Sequence, residues 1–471
     1  MTAIRIGGAI SGAWRYCSSR PAFIHLFFFL YLLFCLMYYK ERTVNHDSGT
    51  VLLDLCTRGE DFVPPSDRKI YYLTFALAML GIKWHFPLVL VCLLHSINLW
   101  LLQYVIAGVL IHVFRRLDLA WLACLLVLCH MINGTYLPHG EIYTGTFISL
   151  LLIAMGASQP SAKRTHRAAC AAGFLLMGAL VAEAHPVFVL SGVFIPLYLY
   201  LTAARPPLAC AISIFLGAAA GFAVKFFVTI SPYESGHLNN LTRSGSLGDR
   251  LLLFVQDDFS VIRFLIIFNS LLIGIALSVL LTASKKQRMV VALSAVFAVG
   301  MLLISVLRFG MNEVDRPYLW YSTFAAFFFA LLPLLDARVT KRRAHRVLLP
   351  VYVSWVLLNA AFGTWLSVAE SRREERRMLA VLASAKEPAT AYVIKQTPVN
   401  KVAFKKWNIV TKSLMVTTLA YGRSGTQCLA YRNDRVLLKF ALAASDTYYF
   451  GAKSFTSIEE LPLLVFDLRN L

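Results

Sequence analysis

The chain has 471 residues, of which 58% are hydrophobic and only 15% are charged. Its mean hydropathy is +0.65, whereas soluble domains have about one charged residue in four. The composition therefore excludes an ordinary soluble protein and indicates a polytopic membrane protein. A net charge of +20 would suggest a nucleic-acid partner in a soluble chain. Here the basic residues fill short breaks between apolar runs, so we expect no nucleic acid among the partners.

Apolar runs that approach the roughly 20 residues needed to cross a bilayer recur along most of the chain. Basic residues occupy alternate breaks, for example Arg115-Arg116, 163–167 and 338–346. This alternation follows the positive-inside rule and predicts about eleven transmembrane helices, with the N-terminus inside and the C-terminus outside. The predicted spans lie near 22–40, 86–112, 118–134, 143–158, 168–183, 187–203, 208–230, 262–283, 289–307, 318–336 and 347–368.

The first predicted outer loop covers 40–83 and begins with the polar stretch "TVNHDSGTV". Its segments "TVLLDLC" and "RKIYYLTFALAML" are apolar but too short or too interrupted to cross the bilayer. They are typical of amphipathic helices that lie along the membrane surface. We interpret the preceding span as a retained anchor rather than a signal peptide, because no small-residue cleavage site follows it.

The composition changes near residue 370. The stretch "ESRREERRMLAVLASAK" predicts a charged amphipathic helix, and "ATAYVIKQ", "KSLMVTTLAYG", "DRVLLKFALA" and "LPLLVFDL" alternate like strands. We therefore predict a transmembrane domain over 1–369 and a small α/β extracytoplasmic domain over 370–471, acting as a lid or an acceptor-binding domain. Cys56 and Cys428 lie in predicted outer segments, so they either form a disulfide or remain two thiols.

Three stretches together resemble the GT-C glycosyltransferases, which include the protein mannosyltransferases and the aminoarabinose transferases of lipid A. They are Asp47 in "NHDSG", the segment "FVPPSDRKIYYLTFALAML" and the late span "DRPYLWYSTFAAFFFALLPLL". The resemblance covers roughly 20–370 at the level of architecture. It implies a GT-C-like, all-α membrane enzyme that transfers a sugar from a polyprenyl-phosphate donor to a glycan, lipid or protein acceptor. The reaction would take place on the outer face of a bacterial inner membrane.

The first loop departs from the family in one respect. GT-C enzymes usually carry Asp-Glu or Glu-x-Asp there, whereas Asp47 follows His46. The use of a divalent cation, Mg²⁺ or Mn²⁺, as in some members of the family, is therefore left open. His46 either binds such a metal, orients Asp47 or is a solvated surface residue.

Sugar transfer from a lipid phosphate needs a base for the acceptor hydroxyl and cations for the phosphate leaving group. We assign Asp47 the role of base, against the alternative of a solvated turn residue. Arg308 and Arg316 are the candidates for the phosphate, because guanidinium groups bind phosphate oxygens in pairs. The other candidates for substrate or phosphate binding are Arg68, His139, Glu141, Glu183, His185, Asp315 and Tyr318.

Two other functions compete with this interpretation. A flippase or transporter of lipid-linked sugars would need polar groups deep in its spans, and His95, Asn98 and Gln103 are the main examples. An O-antigen polymerase or ligase would rely on arginines in late outer loops, and "NLTRSGSLGDR" and "DRPY" leave that open. The long first loop with its early Asp47 favours the glycosyltransferase.

Overall fold

The fold was analysed in a computed structural model of the chain. The structure describes residues 19–44, 46–64, 69–131, 141–157, 164–184, 188, 190–202, 208–225, 285, 288–297, 300, 343–384, 391–394, 409–422, 426–431 and 463–464. Most of these residues are helical. The second half of the chain is described in short pieces, and the predicted segment "DRVLLKFALA" lies outside the described residues.

The helices agree in position with many of the apolar runs seen in the sequence. They are α1 (Pro21–Met37), α2 (Tyr39–Val44), α3 (His46–Arg58), α4 (Tyr71–Lys83), α5 (Leu88–His112), α6 (Leu117–Met131), α7 (Glu141–Ala157), α8 (Arg164–Ala184), α9 (Ser191–Thr202), α10 (Leu208–Ala223), α11 (Arg288–Phe297), α12 (Arg343–Ala383) and α13 (Ile409–Tyr421). Two segments, Leu88–His112 and Val351–Ala383, are long and apolar enough to cross a membrane. The two predicted surface segments of the first loop are confirmed as helices, α3 and α4.

Helices α1 and α5 run antiparallel. Trp100 Nε1 donates a hydrogen bond of 2.7 Å to the Phe28 carbonyl, and Ser96 Oγ donates one of 2.9 Å to the Cys35 carbonyl. Towards the other end of the pair, His25 stacks on His112 with 5.5 Å between ring centroids. The start of α5 therefore lies beside the end of α1. We call this end of the bundle, where α2, α3 and α4 also lie, the loop end.

Helices α8 and α10 run parallel and touch backbone to backbone. A β-carbon on Gly217 would lie 2.1 Å from the Leu175 carbonyl oxygen, and one on Gly221 would lie 2.6 Å from that of Ala179. Glycines four residues apart share one helix face. Gly217 and Gly221 thus form a GxxxG contact, the pattern that lets helices in membranes approach closely.

Helix α12 continues through the predicted domain boundary at 369/370. It has 41 residues, which corresponds to about 60 Å at 1.5 Å per residue. Its first part is apolar, and its last part contains the charged stretch "ESRREERR". The charged amphipathic helix predicted from residue 370 is therefore the continuation of the last predicted span. The division into two domains stays a prediction.

The C-terminal strands form a parallel sheet in the order β2-β1-β3, with β1 at Ala391–Ile394, β2 at Cys428–Tyr431 and β3 at Leu463–Leu464. The strand predictions for "ATAYVIKQ" and "LPLLVFDL" are confirmed at β1 and β3. The strand prediction for "KSLMVTTLAYG" is wrong, because this segment is the helix α13, which connects β1 to β2.

The error at α13 has a physical origin. All residues from 409 to 418 are buried, so the segment lacks the polar face that marks an amphipathic helix. Its hydroxyl groups bond to carbonyls four residues back, as Ser413 does to Ile409 and Thr417 to Ser413. Such bonds make Ser and Thr compatible with a helix interior, although these residue types are typical of strands and turns.

Two hydrophobic clusters form the core. The larger contains α1 and α5 to α12. The smaller combines the first-loop helices α3 and α4 with the end of α12, α13, β1 and β2. Cys56 and Cys428 both belong to this smaller cluster and are free thiols, so the hypothesis of a disulfide between them is wrong. The C-terminal segment therefore shares its core with the first loop.

Candidate functional site

The stretch "NHDSG" includes a tight junction between two helices. α2 ends at Val44, and α3 begins at His46. A β-carbon on Gly49 would lie 2.5 Å from the Val44 carbonyl oxygen, so only glycine fits this approach without a shift of the backbone. Ser48 and Gly49 are buried. This part of the motif is therefore a packed helix start rather than a solvated turn.

Ser48 anchors the start of α3 to α5 near the loop end. Its Oγ lies 3.1 Å from His95 Nε2 in α5, and both residues are fully buried. The imidazole of His95 also stacks on the ring of Phe75 in α4, with 4.9 Å between centroids and 14° between planes. One side chain of α5 thus contacts both predicted surface helices.

Arg42 in α2 is held by the next residue of α5. Its Nε donates to Ser96 Oγ at 3.0 Å, and one of its terminal nitrogens donates to the Ser96 carbonyl at 3.3 Å. The guanidinium also lies over the rings of Tyr31 and Phe34, at 5.7 and 5.5 Å from their centroids. These cation–π contacts compensate part of the cost of burying the charge.

The side chain of Asn98 bonds to the backbone of α4. The Asn98 Oδ1 accepts a hydrogen bond of 2.9 Å from the Leu77 amide, and its Nδ2 donates one of 2.7 Å to the Leu73 carbonyl. These backbone groups are four residues apart, and a regular α-helix joins such a pair directly. His95, Ser96 and Asn98 therefore bind three successive first-loop helices, which explains polar residues inside a predicted span.

Glu183 connects the end of α8 with the first loop. Its Oε1 accepts a hydrogen bond of 3.2 Å from the backbone amide of Lys69, the residue after Arg68. Lys225, just after α10, is buried, and its Nζ donates to the Glu183 carbonyl at 3.4 Å. A cation at this position complements the negative end of the α8 dipole. Glu183 therefore lies at the loop end.

Ion pairs tie α2, α12 and α13 together at the same end of the bundle. Lys40 Nζ lies 2.9 Å from Glu375 Oε1, and Arg372 Nε lies 2.5 Å from Glu41 Oε1. The third pair, which joins α12 to α13, is Glu374 with Lys412, whose side chain is only 1% exposed.

Asp54 is a second carboxylate on α3 and lies two turns after Asp47. Its side chain is 16% exposed, and Arg58 Nε lies 2.6 Å from its Oδ1. Burial raises the pKa of Asp54, although the Arg58 charge opposes this shift. An i, i+7 spacing puts Asp47 and Asp54 on the same side of the helix. Asp54 was not among the site residues predicted from the sequence, although its spacing from Asp47 is visible there.

A groove of about 770 Å³ lies beside the second half of α3. It is lined mainly by apolar side chains of α3 and α4, among them Leu55, Tyr72 and Met79. Glu60 and Lys83 are also part of its wall and form an exposed ion pair of 3.6 Å. The groove therefore offers an apolar wall with charges of both signs.

The structure describes a minority of the predicted site residues. His46 and Asp47 form the first turn of α3, and Glu141 begins α7, but their side chains are not among the described parts. Glu183 is described in full. The residues outside the description are Arg68, His139, His185, Arg308, Asp315, Arg316 and Tyr318. The structure thus brings Glu183 close to the residue after Arg68 and leaves the late-loop arginines as predictions.

The described side chains include no group of three or more His, Cys, Asp and Glu residues that could hold a metal ion. The divalent cation therefore stays a prediction, and no step below depends on it. Comparison of the chain with protein-family models, curated proteins and solved structures finds no match.

Proposed function

We propose that the chain is a polytopic membrane glycosyltransferase with a GT-C-like arrangement of about eleven spans. It would act at the outer face of a bacterial inner membrane. The observation that carries this proposal is the docking of the Asp47-bearing helix α3 on α5, through Ser48 and His95. Glu183 holds the same loop by the Lys69 amide. A first loop held against the end of the helical bundle would cover the reaction site and exclude water from it, as such a reaction needs.

Membrane insertion is supported by the surface of the helices. Large apolar side chains are exposed on α1, α5, α10 and α12, for example Phe29, Val105, Phe215 and Trp365. A soluble protein rarely exposes large contiguous apolar patches, whereas a bilayer would cover these side chains. The apolar groove beside α3 would suit the chain of a polyprenyl lipid, with the charged pair of Glu60 and Lys83 near the headgroup.

In the proposed reaction, Asp47 accepts the proton of the acceptor hydroxyl while that oxygen attacks the anomeric carbon of the donor sugar. The bond between the anomeric carbon and the phosphate oxygen breaks, and polyprenyl phosphate leaves with the electron pair. Arg308 and Arg316 would stabilise the phosphate charge. Of the polar residues on which the transporter alternative depends, His95 and Asn98 contact first-loop helices, which favours the glycosyltransferase.

The direct test is sugar transfer by the purified protein in lipid nanodiscs, with a panel of radiolabelled polyprenyl-phosphate sugars. We expect Asp47→Asn to lower transfer by a factor on the order of 10²–10⁴, the usual contribution of a positioned base. Arg316→Lys should lower it less than Arg316→Ala, because an ammonium keeps the charge but loses the paired geometry. The control is Asp61→Asn, which changes an exposed carboxylate of the same loop. Full activity of Asp47→Asn would rule out Asp47 as the base.

The orientation is tested separately. We expect a reporter fused after Glu387 to be outside and one fused after Arg343 to be inside, because of the alternating basic residues. A cytoplasmic reporter after Glu387 would contradict the span count and the side assigned to the site.

A further inference from the structure

His95 is buried in the first third of α5, a helix that is otherwise mainly apolar. A buried polar side chain needs bonded partners to offset the loss of hydration. His95 bonds to Ser48, which directly follows Asp47 and lies in the first turns of α3. Through this bond, His95 can act on the helical turn that carries Asp47.

We propose that His95 is the positioning residue of Asp47, which it holds in place through Ser48. This inference rests on the proposed function. A hydrogen bond at Ser48 fixes the helical turn that includes Asp47, and the close approach of Gly49 to the Val44 carbonyl further limits movement of this turn. Since a catalytic group displaced by about 1 Å can cost a factor on the order of 10² in rate, this anchor matters for the chemistry as well as for stability.

The chain provides a matched pair of variants. His95→Phe keeps a ring that can stack on Phe75 but removes the bond to Ser48. His95→Gln restores a polar group that can reach Ser48. Asn98→Leu is the control, because Asn98 lies one turn away on the same helix and binds α4 instead of α3. Ser48→Ala removes the other partner of the bond.

The first measurement needs no substrate. Carboxyl labelling followed by mass spectrometry reports the accessibility of Asp47, and hydrogen exchange reports the opening of α3 and α4. A hydrogen bond contributes about 1 kcal/mol net, which corresponds to about a fivefold change in local opening. We expect His95→Phe and Ser48→Ala to raise labelling of Asp47 and exchange in α3 about fivefold. His95→Gln should restore most of the wild-type behaviour, and Asn98→Leu should loosen α4 alone.

The second measurement is sugar transfer with the donor that the wild-type protein uses best. His95→Phe should lower kcat by a factor on the order of 10–10² and leave the KM for the donor nearly unchanged. His95→Gln should recover most of kcat.

The outcomes separate the two proposals. If the wild-type protein transfers sugar from no donor, the proposed function fails, and the labelling of Asp47 still decides whether His95 positions it. Unchanged labelling of Asp47 in His95→Phe would overturn the positioning role. The same conclusion would follow if labelling rose while kcat stayed at the wild-type level in an active protein.

Discussion

Two regions of the molecule hold helices together by different means. They are the contact between α8 and α10 and the docking of the first loop on α5. In the first region, glycines bring two backbones together, and a β-carbon on Gly217 would lie 2.1 Å from a carbonyl oxygen. In the second region, His95, Ser96 and Asn98 hydrogen-bond to α3, α2 and α4, respectively. Glycine contacts depend on size and tolerate no added atoms, whereas polar contacts depend on direction and fix one orientation. The directional contacts lie where the candidate site is.

The largest loss of stability is expected from added side-chain volume at the glycine contact between α8 and α10. We expect Gly217→Val to prevent normal folding, because the nearest atom is a backbone oxygen that cannot move aside. The cost should exceed the ~1–3 kcal/mol of ordinary overpacking. Gly108→Val is the matched control, since nothing lies within 4 Å of a β-carbon there. The measurement is the yield of monodisperse protein and its Tm. Equal behaviour of the two variants would mean that α8 and α10 do not approach this closely.

The next largest effect concerns the ion pair between α12 and α13. Lys412→Met removes the ammonium beside Glu374 in a nearly dry setting, and loss of one partner of a buried pair costs about 3–5 kcal/mol. We expect a clear fall in Tm. Adding Glu374→Leu should recover most of the loss, because apolar side chains of similar volume often replace a buried pair without cost.

The exposed pair of Lys83 and Glu60 provides the control for this prediction. Its partners are mostly in solvent, so Lys83→Met should change the stability by less than ~1 kcal/mol. A similar fall in Tm for Lys412→Met and Lys83→Met would show that the junction of α12 and α13 is accessible to water.

The hydrophobic pattern of the sequence could predict the positions of the helices but not how they pack against one another. The run from Leu88 to His112 is predicted as a helix because it is mainly apolar and long enough to cross a bilayer, and its position follows from the sequence alone. The partners of His95 and Asn98 do not follow, because they come from distant residues whose approach depends on packing. α13 was misassigned because complete burial removes the periodic signal. The ion pairs were missed because nothing local links Lys40 or Glu41 to the 370s.

An exchange of charges at the junction of α2 and α12 would sharpen the comparison further. Glu41→Arg places two guanidinium groups together, and we expect it to lower the stability by at least about 1 kcal/mol, since solvent screens Arg372, which is 53% exposed, whereas the side chain of Glu41 is only 7% exposed. The double variant Glu41→Arg, Arg372→Glu should regain most of the loss. If the pair acts through its charges, exchanging them should restore the Tm, which is measured at low and high salt. Failure to recover at low salt would mean that Glu41 has its main effect through other contacts.

The smallest expected effect is the pH dependence that Asp54 contributes. Because burial raises its pKa in the folded state, the folded protein holds this proton more tightly than the unfolded chain does. Unfolding then releases a proton at pH values between the two pKa values. The stability that this group contributes is therefore complete below the ordinary Asp pKa of about 3.9. It is lost as the pH rises through the pKa of the folded state. The Tm of the wild-type protein relative to Asp54→Asn should therefore fall by about 1–3 °C between about pH 4 and pH 7. Glu60→Gln, at an exposed position, should show no such trend. A relative Tm that rises with pH would mean that the Arg58 charge outweighs burial, and that this side of α3 is wetter than its packing indicates.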